Sequence, residues 1–147
     1  MKNKKSYGEL SDLNLKTLIV LSRAKQSVNK REIKIIKEAG LTISQFGVLE
    51  LLYHKGDFRI NEIIEKTLST GGNMTVVIDN LERDGLVTRY KDPEDGRAYL
   101  ISITDKGKEL IEGMFPLHVE NLNSIFNVLT KEEKEMLIIL LKKLGGA

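Results

Sequence analysis

The stretch TGGNMTVVIDNLERDGLVTRYKDPEDGRAYLISIT, residues 70–104, decides the fold. Met74, Val77, Ile78 and Leu81 recur at i, i+3, i+4, i+7, the spacing of a helix with one buried face. The other face carries Asn73, Thr75, Val76 and Asn80, small side chains able to hydrogen-bond or to touch a methyl group. Gly85 stands where a helix-ending residue takes a left-handed backbone. Leu86–Lys91 and Arg97–Ile103 then read as short strands. Between them Asp92-Pro93-Glu94-Asp95-Gly96 is too long for a two-residue hairpin turn.

Upstream residues complete the pattern. Thr42-Ile43-Ser44-Gln45 is a T-x-x-Q capping box opening a helix with Phe46, Leu49, Leu52 and Tyr53 on one side and Gly56 at its end. Phe58-Arg59-Ile60 is a candidate third strand. Ile60, Ile63, Ile64 and Leu68 predict a short helix that stops at a break over Ser69-Thr70-Gly71-Gly72. Two short helices with a tight polar turn, then a hairpin with a projecting arginine, form a winged helix-turn-helix, a layout that fits a DNA groove.

Long helices flank this lobe. From Leu10 the apolar positions Leu13, Val20, Leu21, Ala24 and Val28 fall near one stripe, while Leu15, Leu18 and Ile19 cover other sides. A terminal helix apolar nearly all round needs more than its own domain to bury it, so a homodimer is expected; a monomeric helical cap is the alternative. Asp105–Val128 reads as a long helix with a kink or break near residues 112–116, because Pro116 removes a helix hydrogen bond. Thr130-Lys131-Glu132-Glu133 is a second capping box, opening a helix with Leu137, Leu140, Leu141 and Leu144 that stops at Gly145-Gly146. The expected fold is mostly α with a small β-wing. One domain spans 1–147, with the winged lobe at about 42–104 and dimerisation helices at about 8–38 and 105–144.

Residues Thr42 to Lys108 resemble the MarR family of bacterial transcription regulators. The matching motifs are Met74-Thr75-x-x-Ile78-Asp79-x-Leu81-Glu82-x-x-Gly85-Leu86-Val87, Asp92-Pro93-Glu94-Asp95-Gly96-Arg97 and Ile103-Thr104-x-x-Gly107. Gly71-Gly72-Asn73 departs from the Ser/Arg-rich opening usual in the family, so base contacts there do not carry over. The resemblance implies terminal helices that intertwine between two subunits. LIVLSRA at residues 18–24 and LELLYHKGD at 49–57 resemble the branch that responds to phenols and quinones.

Composition sets bounds on function. With 147 residues the chain is one domain long, and 41% hydrophobic with 30% charged residues is an ordinary soluble balance. Zero cysteines exclude disulfides, cysteine-ligated zinc and cysteine-based oxidant sensing. No apolar run reaches the ~20 residues of a membrane span and no leader pattern opens the chain, so the expectation is a cytoplasmic protein without membrane or cofactor. Residues 1–37 hold ten Lys/Arg and three Asp/Glu, a net of +7. The winged segment 57–103 holds six against nine, a net of −3, although a DNA-binding face gains affinity by neutralising phosphates. Arg59, Lys66, Arg89, Lys91 and Arg97 are the cations placed to meet phosphates. A winged helix used only for protein–protein docking is therefore the alternative function.

Residue by residue, Asn73 and Asn80 suit adenine N6/N7, and the Val76 methyls suit a thymine methyl. Thr70 and Thr75 suit phosphates or a helix cap, and for Thr70 a plain N-cap fits as well. Asn80 fits a solvated side chain equally. Gly71-Gly72 lets a backbone approach DNA, Gly72 being the nearer candidate, or simply tolerates a tight turn. These side chains point to an A/T-leaning double-stranded operator, which for a homodimer is expected to be pseudo-palindromic. Arg97 lies just past the turn, where a wing tip enters the minor groove, and Asp95 is placed to orient its guanidinium; a surface ion pair is the plainer reading. Phe46, Tyr53, His54, Met114, Phe115 and His118 are the candidate walls of a pocket for a small phenolic or aromatic effector. Only two histidines exist, without H-x-x-x-H spacing, and no phosphate loop or G-x-S-x-G occurs. No metal site and no enzyme activity is expected.

Overall fold

The computed structural model describes residues 3–67 and 71–146. The elements run α1 (Glu9–Glu38), α2 (Ile43–Lys55), β1 (Phe58–Arg59), α3 (Ile60–Thr67), α4 (Gly71–Arg83), β2 (Val87–Lys91), β3 (Tyr99–Ile103), α5 (Asp105–Phe126) and α6 (Lys131–Gly145). The fold is mostly α with a small β-wing, a winged helix-turn-helix flanked by long helices. Both capping boxes form: Thr42 and Thr130 accept from the N–H of Gln45 and Glu133, whose side chains accept in return from the cap N–H. The third strand forms too. The sheet is antiparallel in the order β1-β3-β2, with Phe58 opposite Ile101 and Val87 opposite Ile103.

The core lies under the wing. Ile36, Val48, Leu49, Leu52, Ile63, Met74, Ile78, Leu81, Ile101 and Ile111 are buried, joining α1, α2, α3, α4, β3 and α5. Gly85, at φ +76°, ends α4, and its N–H and that of Leu86 donate to the carbonyls of Glu82 and Leu81. Thr104 then locks α5 to that corner. Its hydroxyl donates to the Gly85 carbonyl at 2.6 Å and accepts from the Gly107 N–H, while its N–H donates to Leu86 O. Gly107 must be glycine, since a Cβ there would stand 2.4 Å from the Leu86 carbonyl oxygen. The Ile103-Thr104-x-x-Gly107 motif is thus the joint between wing and α5.

Three local expectations fail. Gly71 and Gly72 lie inside α4 rather than in a break, because the buried face of Met74, Val77, Ile78 and Leu81 carries the helix against their low propensity. Leu68, Ser69 and Thr70 lie outside the described residues. The second wing strand begins at Tyr99, not Arg97, since the Ala98 N–H folds back onto the Asp95 carbonyl and keeps Arg97 in the turn. Helix α5 passes Pro116 without a break. Ile111, Met114, His118 and Ile125 are buried on both sides of the proline, and packing outweighs one missing hydrogen bond.

Candidate DNA interface

Helix α4 turns two faces to different surroundings. Met74, Val77, Ile78 and Leu81 are buried, whereas Asn73, Thr75 and Val76 are exposed, Val76 by 55%. Asn80 is half-buried, set back from that exposed face. Gly72 is the second residue of the helix, and Thr70 falls outside the described residues. The exposed front of α4 therefore offers an amide, a hydroxyl and a branched methyl pair, with no charge before Asp79.

The wing is built on a buried carboxylate that spacing alone did not reveal. Asp92 is 8% exposed, and its Oδ2 accepts from Nε and Nη2 of Arg59 at 2.9 and 2.6 Å. Its Oδ1 accepts from the Glu94 N–H at 2.9 Å. The Glu94 N–H, then the Arg59 guanidinium, hold this carboxyl below the usual carboxylate range. Asp92 and Ala98 close the turn, with the Asp92 N–H donating to Ala98 O at 3.0 Å. Tyr90 braces the same edge by donating its hydroxyl to Asp57 at 2.6 Å, and that bond raises the phenol pKa. Arg59, expected to meet phosphate, is thus engaged by Asp92. The two lie 33 positions apart, and the pairing of both β1 and β2 with β3 brings them together.

The cations of the wing divide accordingly. Arg89 on β2 reaches back to α4, where its guanidinium pairs with Asp79 and stands 3.5 Å from Glu82. Lys91 is exposed at the end of β2, and Lys66 sits 5.1 Å over the Phe58 ring. The Arg97 side chain is 96% exposed at the turn, with Nε 3.5 Å from the Asp95 carboxylate, which also accepts from the Arg97 N–H at 3.1 Å. The α4 face at Asn73, Thr75 and Val76 and the wing tip at Arg97 are both open to solvent. The acids of the lobe are mostly occupied in holding arginines, which explains how a net negative lobe still presents guanidinium groups.

Comparison with known proteins identifies this architecture. Residues 41–99 match the MarR family. The chain is 41% identical over 136 residues to the HTH-type transcriptional regulator MhqR of Bacillus subtilis, covering 92% of this chain and 94% of that protein. The chain belongs to the MarR family. It is a DNA-binding transcription regulator of the helix-turn-helix type. Among solved structures, BpsR of Bordetella bronchiseptica, described for regulation of its DNA binding by 6-hydroxynicotinic acid, superposes with TM-score 0.79 at 28% identity, over 88% of this chain and 98% of that one. Sco3205 of Streptomyces coelicolor, solved in complex with DNA, shares the fold at TM-score 0.85 and 21% identity, over 97% and 91% of the two chains.

The aromatic candidates of this MarR-family chain converge on one spot between α2 and α5. Phe46 lies 4.8 Å from His118, and Phe115 lies 4.7 Å from His54 and 5.5 Å from His118, centroid to centroid. Tyr53 stacks edge-on at 5.0 Å against His54 and donates its hydroxyl to Glu112 at 3.2 Å. Burial, then Glu112, raises the Tyr53 phenol pKa. His54 Nδ1 lies 2.8 Å from the Glu50 carbonyl oxygen. His118 is 6% exposed, and its Nδ1 is buried without a hydrogen-bond partner among the described residues. Phe46 and Met114 belong to the main core, and Tyr53 and Phe115 pack against it.

Proposed function

We propose that the chain is a cytoplasmic, homodimeric repressor that holds an A/T-leaning, pseudo-palindromic operator and releases it on binding a small phenolic or aromatic compound. The observation that carries the DNA reading is the pairing of an uncharged, exposed α4 face with a wing-tip arginine 96% open to solvent. Asn73 reads adenine and Val76 a thymine methyl, Thr75 meets the backbone, and Asn80 contributes from the rear of the helix. Thr70 and Gly72, just before Asn73 in the sequence, belong to the same contact. Arg97, steered by Asp95, enters a narrow minor groove, while Arg89 and Lys91 meet phosphates. The dimer rests on Leu10, Leu13, Leu18, Leu140 and Leu144, all exposed on α1 and α6.

The effector site of this proposal is the cluster of Phe46, Tyr53, His54, Phe115 and His118, with Met114 behind it. A buried imidazole nitrogen without a partner is costly, and a ligand hydroxyl or carboxylate would satisfy it. The resemblance of residues 18–24 and 49–57 to the phenol- and quinone-responsive branch favours such a ligand, as does the aromatic acid named for BpsR. Without cysteine the response is non-covalent at sulfur and reverses on dilution. The ligand must prefer the DNA-incompetent conformer, or it shifts nothing. Titrating hydroquinones, salicylate and related phenols against a protein–duplex complex selected from a random pool tests both halves. Binding that no phenol weakens leaves a repressor with another trigger. A protein that selects no duplex is the docking module instead.

A further inference from the structure

Between the wing and the start of α3 lies a cleft of about 410 Å³, lined by Arg59, Asn61, Arg89, Arg97 and Tyr99. Its arginines are unusual in being carboxylate-backed. Arg59 spends Nε and Nη2 on Asp92, and Arg89 spends Nη2 on Asp79 with Nε facing Glu82. A guanidinium has five N–H donors in a fixed fork, so each keeps Nη1 without a partner among the described residues. Asn61 and Tyr99 are exposed in the same cleft, and neither side chain makes a hydrogen bond among the described residues. Four donor-bearing side chains therefore line one space, each with a donor group that has no acceptor among the described residues. The carboxylates behind the arginines cancel most of their charge, so the cleft attracts an anion by directed donors at short range and hardly at a distance.

We infer that this cleft seats one backbone phosphate of the bound DNA, with Asn61 and Tyr99 as uncharged donors beside the free edges of Arg59 and Arg89. The inference rests on the DNA reading above. It assigns roles to Asn61 and Tyr99 that no motif marks, and it gives the lobe's acids a purpose. Arginines held in fixed directions and stripped of net charge bind a phosphate only where the whole surface docks in register. Random DNA then gains less than it would from free cations.

Tyr99→Phe and Asn61→Ala test this, because neither breaks a contact within the fold. Each is expected to weaken a selected duplex by about tenfold, the size of one hydrogen bond to a charged group, and a scrambled one by less, with the thermal melt unchanged. A scan of duplexes carrying a single neutral methylphosphonate should find one backbone position where wild-type binding falls and neither variant costs anything further. Variants that bind unmodified duplex like wild type, or that lose the same factor at every methylphosphonate position, overturn the phosphate seat while leaving the regulator reading intact. Inorganic phosphate that binds wild type but not Tyr99→Phe, while the two bind duplex equally, marks a free-anion site, and the DNA assignment of the cleft then falls. A wild-type protein that binds no duplex overturns both readings together.

Discussion

The winged lobe and the terminal helices are written in the same amphipathic code but end in opposite states. In the lobe nearly every apolar stripe finds a partner within the chain: Ile63, Met74, Ile78, Leu81 and Ile101 are buried, and Asp92 and Arg59 close on each other beneath the wing. In α1 and α6 the stripes remain open. Leu10 is 73% exposed, Leu144 66%, and no residue of α6 is buried. A soluble monomer rarely tolerates so much contiguous apolar surface. The lobe buries its apolar faces within one chain, whereas the long helices leave theirs open, and on that contrast the proposed homodimer rests.

That contrast breaks most visibly at α1. Deleting residues 1–28 removes a helix segment whose side chains pack little on their own chain, yet the expected result is a poorly soluble or unfolded protein, because in the proposed dimer the remaining apolar faces would lose their cover. Light scattering and circular dichroism decide it: a compact, soluble truncated monomer would mean the helices are only a cap. Inside the lobe the largest effect should come from Gly107→Ala. The new Cβ meets the Leu86 carbonyl oxygen at 2.4 Å and Ile103 Cγ1 at 2.7 Å, and backbone atoms cannot step aside as a side-chain end can. A loss of about 3 kcal/mol, the upper end for overpacking, is expected in chemical denaturation. A loss below about 1 kcal/mol would show the joint between wing and α5 to be loose.

Legibility followed sequence distance. Both capping boxes, the Gly85 stop and the buried face of α4 were readable because their partners lie three to five residues apart, within one turn of helix. Asp95 and Arg97 were readable for the same reason. The clasp of Asp92 by Arg59 was not, nor the hold of Asp79 on Arg89, since a strand pairing and a helix-to-strand return create them. Charge counting alone therefore misjudged the lobe: it counted acids as a deficit where the fold uses them to aim arginines. Gly71-Gly72 misled in the other direction, because local propensity is a weak force beside a packed helix face. Convergence of Phe46, His54, Phe115 and His118 was guessed from composition, and the meeting of α2 with α5 brings it about.

Arg97 sharpens the comparison from the functional side, because it belongs to the lobe yet packs on nothing. Arg97→Ala should weaken binding to a selected duplex by about 1–3 kcal/mol while leaving the melt and the oligomeric state unchanged. Fluorescence anisotropy beside light scattering reads both quantities in one sample. Unchanged affinity would remove the minor-groove contact and leave only the 3.5 Å surface pair with Asp95.

The smallest effect expected is an acid dependence that belongs to the lobe alone. Asp92 has its carboxyl held below the ordinary 3.8, first by the Glu94 N–H and then by Arg59. The unfolded chain takes up this proton at the ordinary value and the folded chain only at lower pH. The group's contribution is therefore complete above the ordinary value and is given up as pH falls through the depressed one. Asp92→Asn cannot titrate and leaves Arg59 without its counter-ion at every pH. The difference in stability between wild type and variant should be largest at neutral pH and should shrink on acidification through the carboxylate range. Denaturation curves at a series of pH values test this. A difference that stays constant would mean that the Asn amide fails for reasons of shape, and that the charge on Asp92 does not hold the wing.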